Sequence, residues 1–369
     1  MTIVILGTRG FPNVQGGVER YCENLSAHLV KLGCRVIVLT RAPYVDRNIR
    51  EFAGVELVAL PSLETTGLEA FLHTFIGIFA ALRYRPDILH IQAIGPAFFT
   101  PLAKLLGMKV VITTQGSNYE HAKWGKFAKM ILRAGEYLGM KFADEVICVT
   151  KNIADDMERK YGRKCRVIPN GVLVREAAAS RETLKKYSLE EGKYILTVGR
   201  FVPEKCFPDL IDAFQRSGLK DRKLAIVGKV DYPCKYSDDL IKKAEAADGV
   251  VMTGLLSGEP LREIYSHAGL FVLPSFYEGL PIVLLEAMSY GLFCLASDIP
   301  ANRSVGLPDG NYFPVGDIER LSAKLRESVD RRLSPEEKAR QIAVMREKYD
   351  WDAITKQTLE VYKKASGKE

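Results

Sequence analysis

The sequence predicts an α/β protein with two domains, each built on a doubly wound parallel sheet. Its 369 residues exceed the usual size of one domain, and 47% hydrophobic with 26% charged residues are typical of a globular chain. Short apolar segments alternate with helical patterns, which is the sequence form of a parallel sheet covered by helices on both faces. This alternation occurs twice along the chain, so we expect two such sheets.

The first half of the chain contains six apolar segments that are predicted as strands, with helices between most of them. These segments are 3–6, 35–40, 55–59, 88–91, 109–113 and 145–149. The helix predicted over 18–32 ends before Gly33, a residue suited to the left-handed conformation that often closes a helix. These elements place the first predicted domain at residues 1–175.

A domain boundary is predicted after Asn170-Gly171, a dipeptide that favours turns and is followed by a polar stretch. The strand pattern then resumes at 194–198, 223–227, 250–253, 270–273 and 293–296. The second predicted domain covers 176–348, and a closing segment, 349–369, contains a helix over 351–364. Two wound domains in tandem imply a cleft between them, with ligands at the carboxyl ends of the strands.

Composition argues against several classes of protein. The longest apolar stretch, 68–82, contains Glu69 and His73 and is shorter than the roughly 20 residues that span a bilayer. The first residues resemble a strand rather than a secretory signal, so we expect a cytoplasmic protein. Seven scattered cysteines without a Cys-x-x-Cys pair suit a reducing compartment and argue against a zinc ribbon or a disulfide framework.

The net charge of +7 comes from the first predicted domain. Residues 1–175 contain 23 Lys and Arg against 15 Asp and Glu, whereas the remainder contains 29 against 30. This asymmetry favours an anionic substrate or a membrane surface as the partner of the first domain. Charge alone also permits nucleic acid, but the sequence shows no motif that reads RNA or DNA, so no nucleic-acid partner is expected.

The strongest site pattern follows the 270–273 strand. Pro281 is predicted near the first helical position of an apolar helix, which leaves nearby backbone amides free to bind an anion. Those amides belong to Gly279, Leu280, Ile282 and Val283. Glu278 and Glu286 could both reach a ligand whose phosphates lie there, one holding a sugar and the other a ribose. The alternative is that Glu286 caps the helix or pairs on a surface.

Two cations follow the 194–198 strand and form a second pattern. Arg200 comes directly after Gly199, and Lys205 lies five residues further on. Two such cations could flank a diphosphate and stabilise the charge that develops when it leaves, so that no metal is required. The alternative is a pair of solvated surface cations.

Gly16 and Gly17 form a third pattern, in the loop between the first strand and the first helix. Paired glycines allow the backbone to approach a ligand closely, although a tight turn without a ligand would also explain them. The sequence contains neither Gly-x-Gly-x-x-Gly nor the P-loop motif, which argues against a dinucleotide dehydrogenase and a P-loop enzyme.

Together these patterns resemble the retaining glycosyltransferases of family 4, which have the two-domain GT-B fold. The resemblance covers nearly the whole chain and also includes 16–17, 90–96, 113–116 and 169–171. Its most specific parts are the two cations and the spacing of the two glutamates. By resemblance, Arg200 and Lys205 bind the donor diphosphate. Glu278 would contact the transferred sugar and Glu286 the nucleotide ribose. The family also implies that the closing helix crosses back to the first domain.

The sequence departs from the family pattern at two positions. Gln115 stands where related enzymes often carry a histidine before the glycine of the Thr-Thr-x-Gly strand end, and Gln92 stands where they often show His-x-His. Gln115 can donate and accept hydrogen bonds, but it cannot become a cation. If that histidine supports transition-state charge, turnover is slower here or the acceptor differs.

Neither a metal nor a cofactor is expected; the co-substrate implied by the resemblance is a nucleotide sugar of the UDP or GDP type. The five histidines show no metal-ligand spacing and are interpreted as structural. Asp350-Trp351-Asp352 matches a metal-binding motif of the other glycosyltransferase fold, but its position before the last helix indicates a helix cap.

Residues 121–140 are predicted to form a basic amphipathic helix. Its basic residues recur every three or four positions beside an apolar side; they are Lys123, Lys126, Lys129 and Arg133. Such a helix could lie on anionic lipid, so we predict contact of 121–133 with a membrane or with a lipid-linked acceptor. The alternative is a solvated face over an ordinary core. The neighbouring helix 68–82 could assist, although a core position is favoured for it.

The leading hypothesis is a retaining, metal-independent hexosyltransferase of cell-surface polysaccharide or glycolipid assembly, peripheral at the cytoplasmic face of the membrane. The acceptor, a carbohydrate or a lipid-linked sugar, would enter through the first domain.

The predicted catalytic residues are Glu278, Arg200, Lys205 and Gln115. The predicted donor-binding residues are Gly16, Gly17, Arg200, Lys205, Glu278, Gly279, Leu280, Ile282, Val283 and Glu286. The alternatives are a GT-B phosphorylase or nucleotide-sugar epimerase, and a catalytically weak nucleotide-sugar-binding partner subunit.

Overall fold

The computed structural model describes residues 1–62, 68–116, 119, 125–231 and 233–368. The chain forms two compact units. Unit 1 comprises Met1–Gly171 together with Trp351–Glu369, and unit 2 comprises Val172–Asp350. The chain passes from unit 1 to unit 2 after Gly171, close to the domain boundary predicted at residue 175. The closing segment belongs with unit 1.

Among the described residues, unit 1 contains one sheet of eight strands in the order β3-β4-β2-β1-β5-β6-β7-β8. The strands are β1 (Thr2–Leu6), β2 (Arg35–Arg41), β3 (Glu51–Phe52), β4 (Val55–Leu60), β5 (Ile88–Gln92), β6 (Val110–Thr114), β7 (Glu145–Cys148) and β8 (Arg166–Val167). All pairs are parallel except β3 with β4. Strands β3 and β8 were not predicted from the sequence, because each has only two residues and shows no apolar run.

Helices cover both faces of this sheet. They are α1 (Gly17–Lys31), α2 (Leu68–Leu82), α3 (Thr100–Leu105), α4 (Lys126–Phe142), α5 (Lys151–Tyr161) and α14 (Trp351–Ser366). The last helix packs on α1, where the Trp351 ring stacks on His28 with centroids 5.9 Å apart. A single core cluster lies beneath α2, α3, α4 and α5, and it includes Ile78, Met140 and Met157.

Unit 2 contains a sheet of six parallel strands, within the described ranges, in the order β11-β10-β9-β12-β13-β14. The strands are β9 (Tyr194–Val198), β10 (Lys223–Val227), β11 (Val250–Gly254), β12 (Leu270–Leu273), β13 (Cys294–Ser297) and β14 (Tyr312–Phe313). The helices are α6 (Glu182–Lys186), α7 (Phe207–Ser217), α8 (Lys235–Ala246), α9 (Gly258–His267), α10 (Ile282–Ser289), α11 (Pro300–Arg303), α12 (Ile318–Ser328) and α13 (Pro335–Lys348).

Both sheets are doubly wound, as predicted. In unit 2 the chain runs from β9 outward to β10 and β11, then returns to place β12 on the other side of β9. In unit 1 it runs outward from β1 and returns to place β5 beside β1. Each sheet therefore has a switch point, β9/β12 in unit 2 and β1/β5 in unit 1, where ligands of wound α/β folds usually bind.

The structure changes two details that were predicted from the sequence. The basic helix predicted over 121–140 is described as α4 from Lys126 onward, and residues 120–124 lie outside the described ranges. The core position favoured for 68–82 is wrong for one side of α2, whose large apolar side chains Leu72, Phe75 and Phe79 are exposed. Among the described residues, no helix is long and apolar enough to span a bilayer.

Candidate functional site

The predicted cations and the first glutamate lie on loops that leave the switch point of unit 2. β9 and β12 are parallel neighbours, with Leu196 opposite Phe271, so the loops that follow them begin at the same edge of the sheet. A hydrogen bond of 3.0 Å from the Phe276 amide to the Glu204 carbonyl oxygen joins the two loops. The loop of Arg200 and the loop before α10 are therefore held together by the backbone itself.

Lys205 and Glu278 form an ion pair across these two loops. The Lys205 Nζ and Glu278 Oε1 atoms are 2.6 Å apart, and the exposed fractions of the two side chains are 14% and 12%. Gly199 makes room for the lysine, because a Cβ atom at position 199 would lie 3.1 Å from the Lys205 Cε atom. A largely buried cation is thus held beside a carboxylate at the strand ends, which suits both to polar contacts with an anionic ligand.

Arg200 is held by a partner that the sequence analysis did not identify. Its Nη1 atom lies 3.1 Å from the Asp231 Oδ2 atom, and Asp231 follows β10. The loops after β9 and β10 run together, since Phe201 donates from its amide to the Lys229 carbonyl oxygen at 3.2 Å. Gly228 lies where a Cβ atom would collide with the Gly199 carbonyl oxygen. The position of Gly228 and Asp231 just after a strand that neighbours β9 is the signal that could have identified them.

The α10 helix begins one residue after the proline of the pattern. Pro281 occupies the capping position, and the helix runs over Ile282–Ser289. The Leu284 amide donates to the Pro281 carbonyl oxygen at 3.0 Å. Because Ile282 and Val283 start the helix, their amides have no helical carbonyl four residues earlier to bind. The helix end carries partial positive charge beside the loop of Glu278.

Glu286 lies one turn inside α10 and is oriented by a tyrosine. The Tyr265 hydroxyl of α9 donates to the Glu286 Oε2 atom at 3.0 Å. Tyr265 is buried and its ring stacks on Tyr290, with centroids 5.5 Å apart and an angle of 8° between the rings. No local spacing in the sequence pointed to Tyr265, because it reaches the glutamate from another helix.

In unit 1, Gly16 has a clear steric role. It caps α1, and a Cβ atom at this position would collide with the Glu19 carboxylate. Glu19 is buried and accepts from the Arg9 amide at 3.1 Å, while its Oε1 atom lies 3.3 Å from the Arg9 Nε atom. Burial alone would raise the pKa of Glu19, but the Arg9 guanidinium and backbone amides outweigh it and hold that pKa below its usual value. This ion pair fixes the loop that leads to Gly16 and Gly17.

Gln115 forms a reciprocal amide pair with Asn170. The Asn170 Nδ2 atom donates to the Gln115 Oε1 atom at 3.0 Å, and the Gln115 Nε2 atom lies 3.3 Å from the Asn170 Oδ1 atom. Asn170 is buried and Gln115 is half-buried. Gln115, directly after β6, is therefore held by a residue next to the end of the first segment of unit 1.

His90 and Gln92 lie inside unit 1. The Tyr362 hydroxyl of α14 is 2.7 Å from the His90 Nδ1 atom, and the Thr113 hydroxyl is 2.7 Å from the Nε2 atom. The Gln92 amide nitrogen is 3.1 Å from the same Nε2 atom. Burial lowers the pKa of His90 to about 3, so this imidazole is neutral at physiological pH.

The predicted residues thus fall into two groups, and each group belongs to one unit. Unit 2 brings together the residues of the cation and glutamate patterns, whereas Gly16, Gly17 and Gln115 belong to unit 1. Within the ranges that the structure describes, no group of three or more His, Cys, Asp or Glu side chains is arranged to hold a metal ion. In unit 2, a helix amino end beside the Lys205–Glu278 pair, with a second cation, Arg200, on the loop of Lys205, is an arrangement that can bind a diphosphate.

Comparison with protein families decides what kind of protein carries this arrangement. Residues 15–175 match the family described as Glycosyltransferase Family 4, and residues 180–345 match the family described as Glycosyl transferases group 1. The two matches cover most of both units. The chain belongs to the family 4 glycosyltransferases.

Two curated relatives show the similarity of this glycosyltransferase to known proteins. It is 29% identical over 255 residues to alpha-maltose-1-phosphate synthase of Mycolicibacterium smegmatis, an alignment that covers 63% of the chain and 66%, just under two thirds, of the relative. It is 26% identical over 320 residues to UDP-Gal:alpha-D-GlcNAc-diphosphoundecaprenol alpha-1,3-galactosyltransferase of Escherichia coli, covering 79% of the chain and 78% of that protein.

The fold of the glycosyltransferase also has a close structural counterpart. It matches sucrose-phosphate synthase from Thermosynechococcus elongatus with a TM-score of 0.83 at 19% identity, and the match covers 100% of both chains. The GT-B fold predicted from the sequence is confirmed.

Proposed function

We propose that this glycosyltransferase moves a hexose from a nucleoside diphosphate sugar to a carbohydrate or lipid-linked acceptor, with retention of anomeric configuration and without a metal. The observation that carries the proposal is the Lys205–Glu278 ion pair on the loops beside the amino end of α10, with Arg200 on the same loop as Lys205. Two cations and a helix dipole at one switch point suit the negative charge of a diphosphate.

The donor would be held by unit 2. Arg200 and Lys205 would bind the diphosphate oxygens, with the amides at the start of α10 completing the anion site. Glu278 would accept a hydrogen bond from a sugar hydroxyl, because its carboxylate is held at the loop end by Lys205. Glu286, oriented by Tyr265, would accept from the ribose hydroxyls.

In the proposed reaction the bond between the anomeric carbon and the diphosphate oxygen breaks, and the acceptor oxygen bonds to the same face of the sugar. The leaving phosphate oxygen takes the proton of the acceptor hydroxyl, so atoms and charge balance without a separate protein base. Arg200 and Lys205 would stabilise the negative charge that develops on the diphosphate, a role otherwise supplied by a metal ion.

The acceptor would be bound by unit 1, near Gln115 and the loop of Gly16 and Gly17. The donor contacts predicted for the two glycines stay a prediction. The proposal of a lipid-linked acceptor at the cytoplasmic face of a membrane is supported by the excess positive charge of residues 1–175 and by the Escherichia coli relative, which is named for a diphosphoundecaprenol-linked substrate. Such an acceptor would place the enzyme in polysaccharide or glycolipid assembly. Because Gln115 carries no charge, we propose that it orients an acceptor hydroxyl and does not stabilise charge.

A transfer assay on the purified chain tests the proposal. UDP- and GDP-hexoses are offered with undecaprenyl diphosphate-linked and free sugar acceptors, and the anomeric configuration of the product is read by NMR. Transfer with retention, undiminished by EDTA, supports the proposal. An inverted product contradicts retention, and donor binding without turnover over the acceptor panel supports a partner subunit instead.

Two variants test the assigned cations. Arg200→Gln and Lys205→Gln keep polar side chains but remove the positive charge, so each is expected to lower kcat/KM for transfer by about 10²- to 10³-fold, as loss of one transition-state charge contact does. Lys220→Gln, at an exposed position away from the strand ends of β9 and β12, is the matched control and should leave kcat/KM unchanged. Wild-type transfer by both site variants would show that the diphosphate binds elsewhere.

A further inference from the structure

One side of α2 exposes large apolar side chains. Leu72, Phe75 and Phe79 lie on one face of the helix and are 37%, 42% and 44% exposed. The opposite side packs on the core through Ile78 and Ala81, both fully buried. An exposed helix face normally carries polar residues, so a continuous apolar stripe indicates a surface that another apolar body covers.

The polar residues of α2 do not interrupt this stripe. Glu69 is buried and pairs with Arg41, with 3.2 Å between its Oε1 atom and the arginine Nη1 atom. His73 is buried and contacts the Thr40 carbonyl oxygen at 3.2 Å. These polar groups of α2 thus point inward, and its exposed face carries only apolar side chains among the residues described.

The exposed side of α4 combines apolar and basic residues. Phe127 and Met130 are 69% and 58% exposed. The exposed basic residues of the helix are Lys126, Arg133 and Lys141. Glu136, the acidic residue of α4, is fully buried. Neither α2 nor α4 therefore exposes an acidic side chain over its described residues.

The two helices pack against the same short segment, Pro96–Phe99, on the same face of the sheet. Phe71 of α2 contacts Phe99, with ring centroids 4.5 Å apart. On the α4 side, Gly139 lies so close that a Cβ atom there would be 2.9 Å from the Ala97 Cβ atom. Because one core cluster lies beneath both helices, their outer sides are exposed on the same side of unit 1.

We propose that α2 and α4 together form a docking surface for an anionic lipid bilayer, defined by Leu72, Phe75, Phe79, Phe127 and Met130 with the basic residues of α4. The apolar stripe of α2 enters the boundary between headgroups and acyl chains, and the α4 cations lie at the phosphates. The inference extends the lipid-linked acceptor of the proposed function by naming the surface that meets its membrane.

The positive charge of this surface favours an anionic bilayer as its partner over a second copy of the chain. A symmetric dimer through this surface would bring the basic side of α4 against itself or against apolar α2. The described part of the two helices exposes no acidic side chain that could balance this charge. Anionic lipid headgroups supply that balance, at roughly fivefold in affinity for each cation near the surface.

Sedimentation of the full chain with vesicles tests the proposal. The vesicles are phosphatidylcholine alone and phosphatidylcholine mixed with phosphatidylglycerol. Wild type is expected to sediment with the mixed vesicles. Phe75→Ser with Phe79→Ser should weaken binding at least about tenfold, since two half-exposed rings no longer enter the bilayer. Lys126→Glu with Arg133→Glu should abolish the preference for phosphatidylglycerol.

Val315→Ser is the matched control, because Val315 is a similarly exposed apolar residue in unit 2. It should bind like wild type, and melting temperatures of all variants verify that they fold. The proposal is overturned if wild type ignores the mixed vesicles, if both double variants bind like wild type, or if the variants instead dissociate a lipid-free dimer.

A second readout separates this inference from the proposed function. Sugar transfer to a short-chain, water-soluble acceptor analogue should be unchanged in both double variants, because none of these residues belongs to the donor site. Loss of vesicle binding with full transfer supports the docking surface. Absence of transfer in wild type with intact vesicle binding would contradict the proposed function alone.

Discussion

At the scale of single residues, the polar groups at the strand ends of unit 2 are paired across separate elements. Each pair joins a residue that the sequence analysis selected to one from another loop or helix. The pairs are Lys205 with Glu278, Arg200 with Asp231, and Glu286 with Tyr265. Spacing along the chain identified Glu278 and Lys205 separately, but their contact depends on how two loops of one sheet meet.

The contacts of His90 likewise could not be predicted from the neighbouring sequence. It was interpreted as structural because it lacks metal-ligand spacing, yet its partners come from β6 and from the last helix of the chain. Tyr362 is 272 positions away in sequence. Such a contact can be read only from the folded unit.

Burial of two histidines predicts how stability depends on pH. The pKa of His90 falls to about 3 through burial, and that of His73 falls to about 4 through burial and the nearby Arg41 charge, from an ordinary value of 6.5. Between these values and 6.5 the unfolded chain binds more protons than the folded one, so stability is lost as pH falls through this window.

Each of these histidines contributes a slope of about 1.4 kcal/mol per pH unit in that window. We expect His90→Gln to reduce the slope of the unfolding free energy between pH 6 and pH 4 by about that amount, measured by urea denaturation. His28→Gln, at a half-buried position, is the control. An unchanged slope in the His90 variant would mean that this imidazole takes up a proton in the folded state.

At the scale of elements, the last helix α14 depends on a glycine. Asn170-Gly171 was predicted as a turn, but Gly171 has another role: a Cβ atom at this position would lie 2.5 Å from the Trp351 ring. Trp351 also packs on Tyr21 of α1, with ring centroids 5.8 Å apart. The glycine therefore provides space for the first residue of α14.

Gly171→Ala is accordingly expected to destabilise the protein by about 1–3 kcal/mol, the usual cost of forcing an extra carbon into a packed site. Gly310→Ala adds the same carbon at a position with open space around it and should change stability by less than about 0.5 kcal/mol. Thermal or urea unfolding of the two variants checks this. Equal unfolding free energies of the two variants would show that the Trp351 ring moves aside without lowering the stability of the protein.

The α2 helix illustrates what hydrophobicity alone leaves open. Its 15 residues are apolar on nearly every side, and this pattern is compatible with a buried helix or with one that presents an apolar face to lipid. Which alternative holds depends on the side of α2 that packs on the sheet. Only the packing of Ile78 and Ala81 on the core shows that the stripe of Phe75 and Phe79 lies outside.

At the scale of the whole molecule, the donor is expected to stabilise the fold. A ligand that binds the native state at 100 times its Kd raises the unfolding free energy by about 2.7 kcal/mol. We expect UDP or GDP to raise the melting temperature, and uridine or guanosine, which lack the diphosphate, to raise it much less.

The same measurement tests the assigned ribose contact. Glu286→Ala should reduce the shift caused by the diphosphate nucleotide, whereas Glu319→Ala, at an exposed position of α12, should retain it. A full shift in the Glu286 variant would contradict the placement of the ribose.

The sequence by itself determined the fold class and the positions of nearly all longer strands, and it predicted the residues of the proposed donor site. These follow from local signals, because buried parallel strands are short apolar runs and a helix amino end after a strand has a recognisable pattern. The tertiary structure alone decided the side-chain partners, the steric role of Gly171 and the exposed face of α2. These depend on residues far apart in the chain whose distance is set by packing, and no local pattern records that distance.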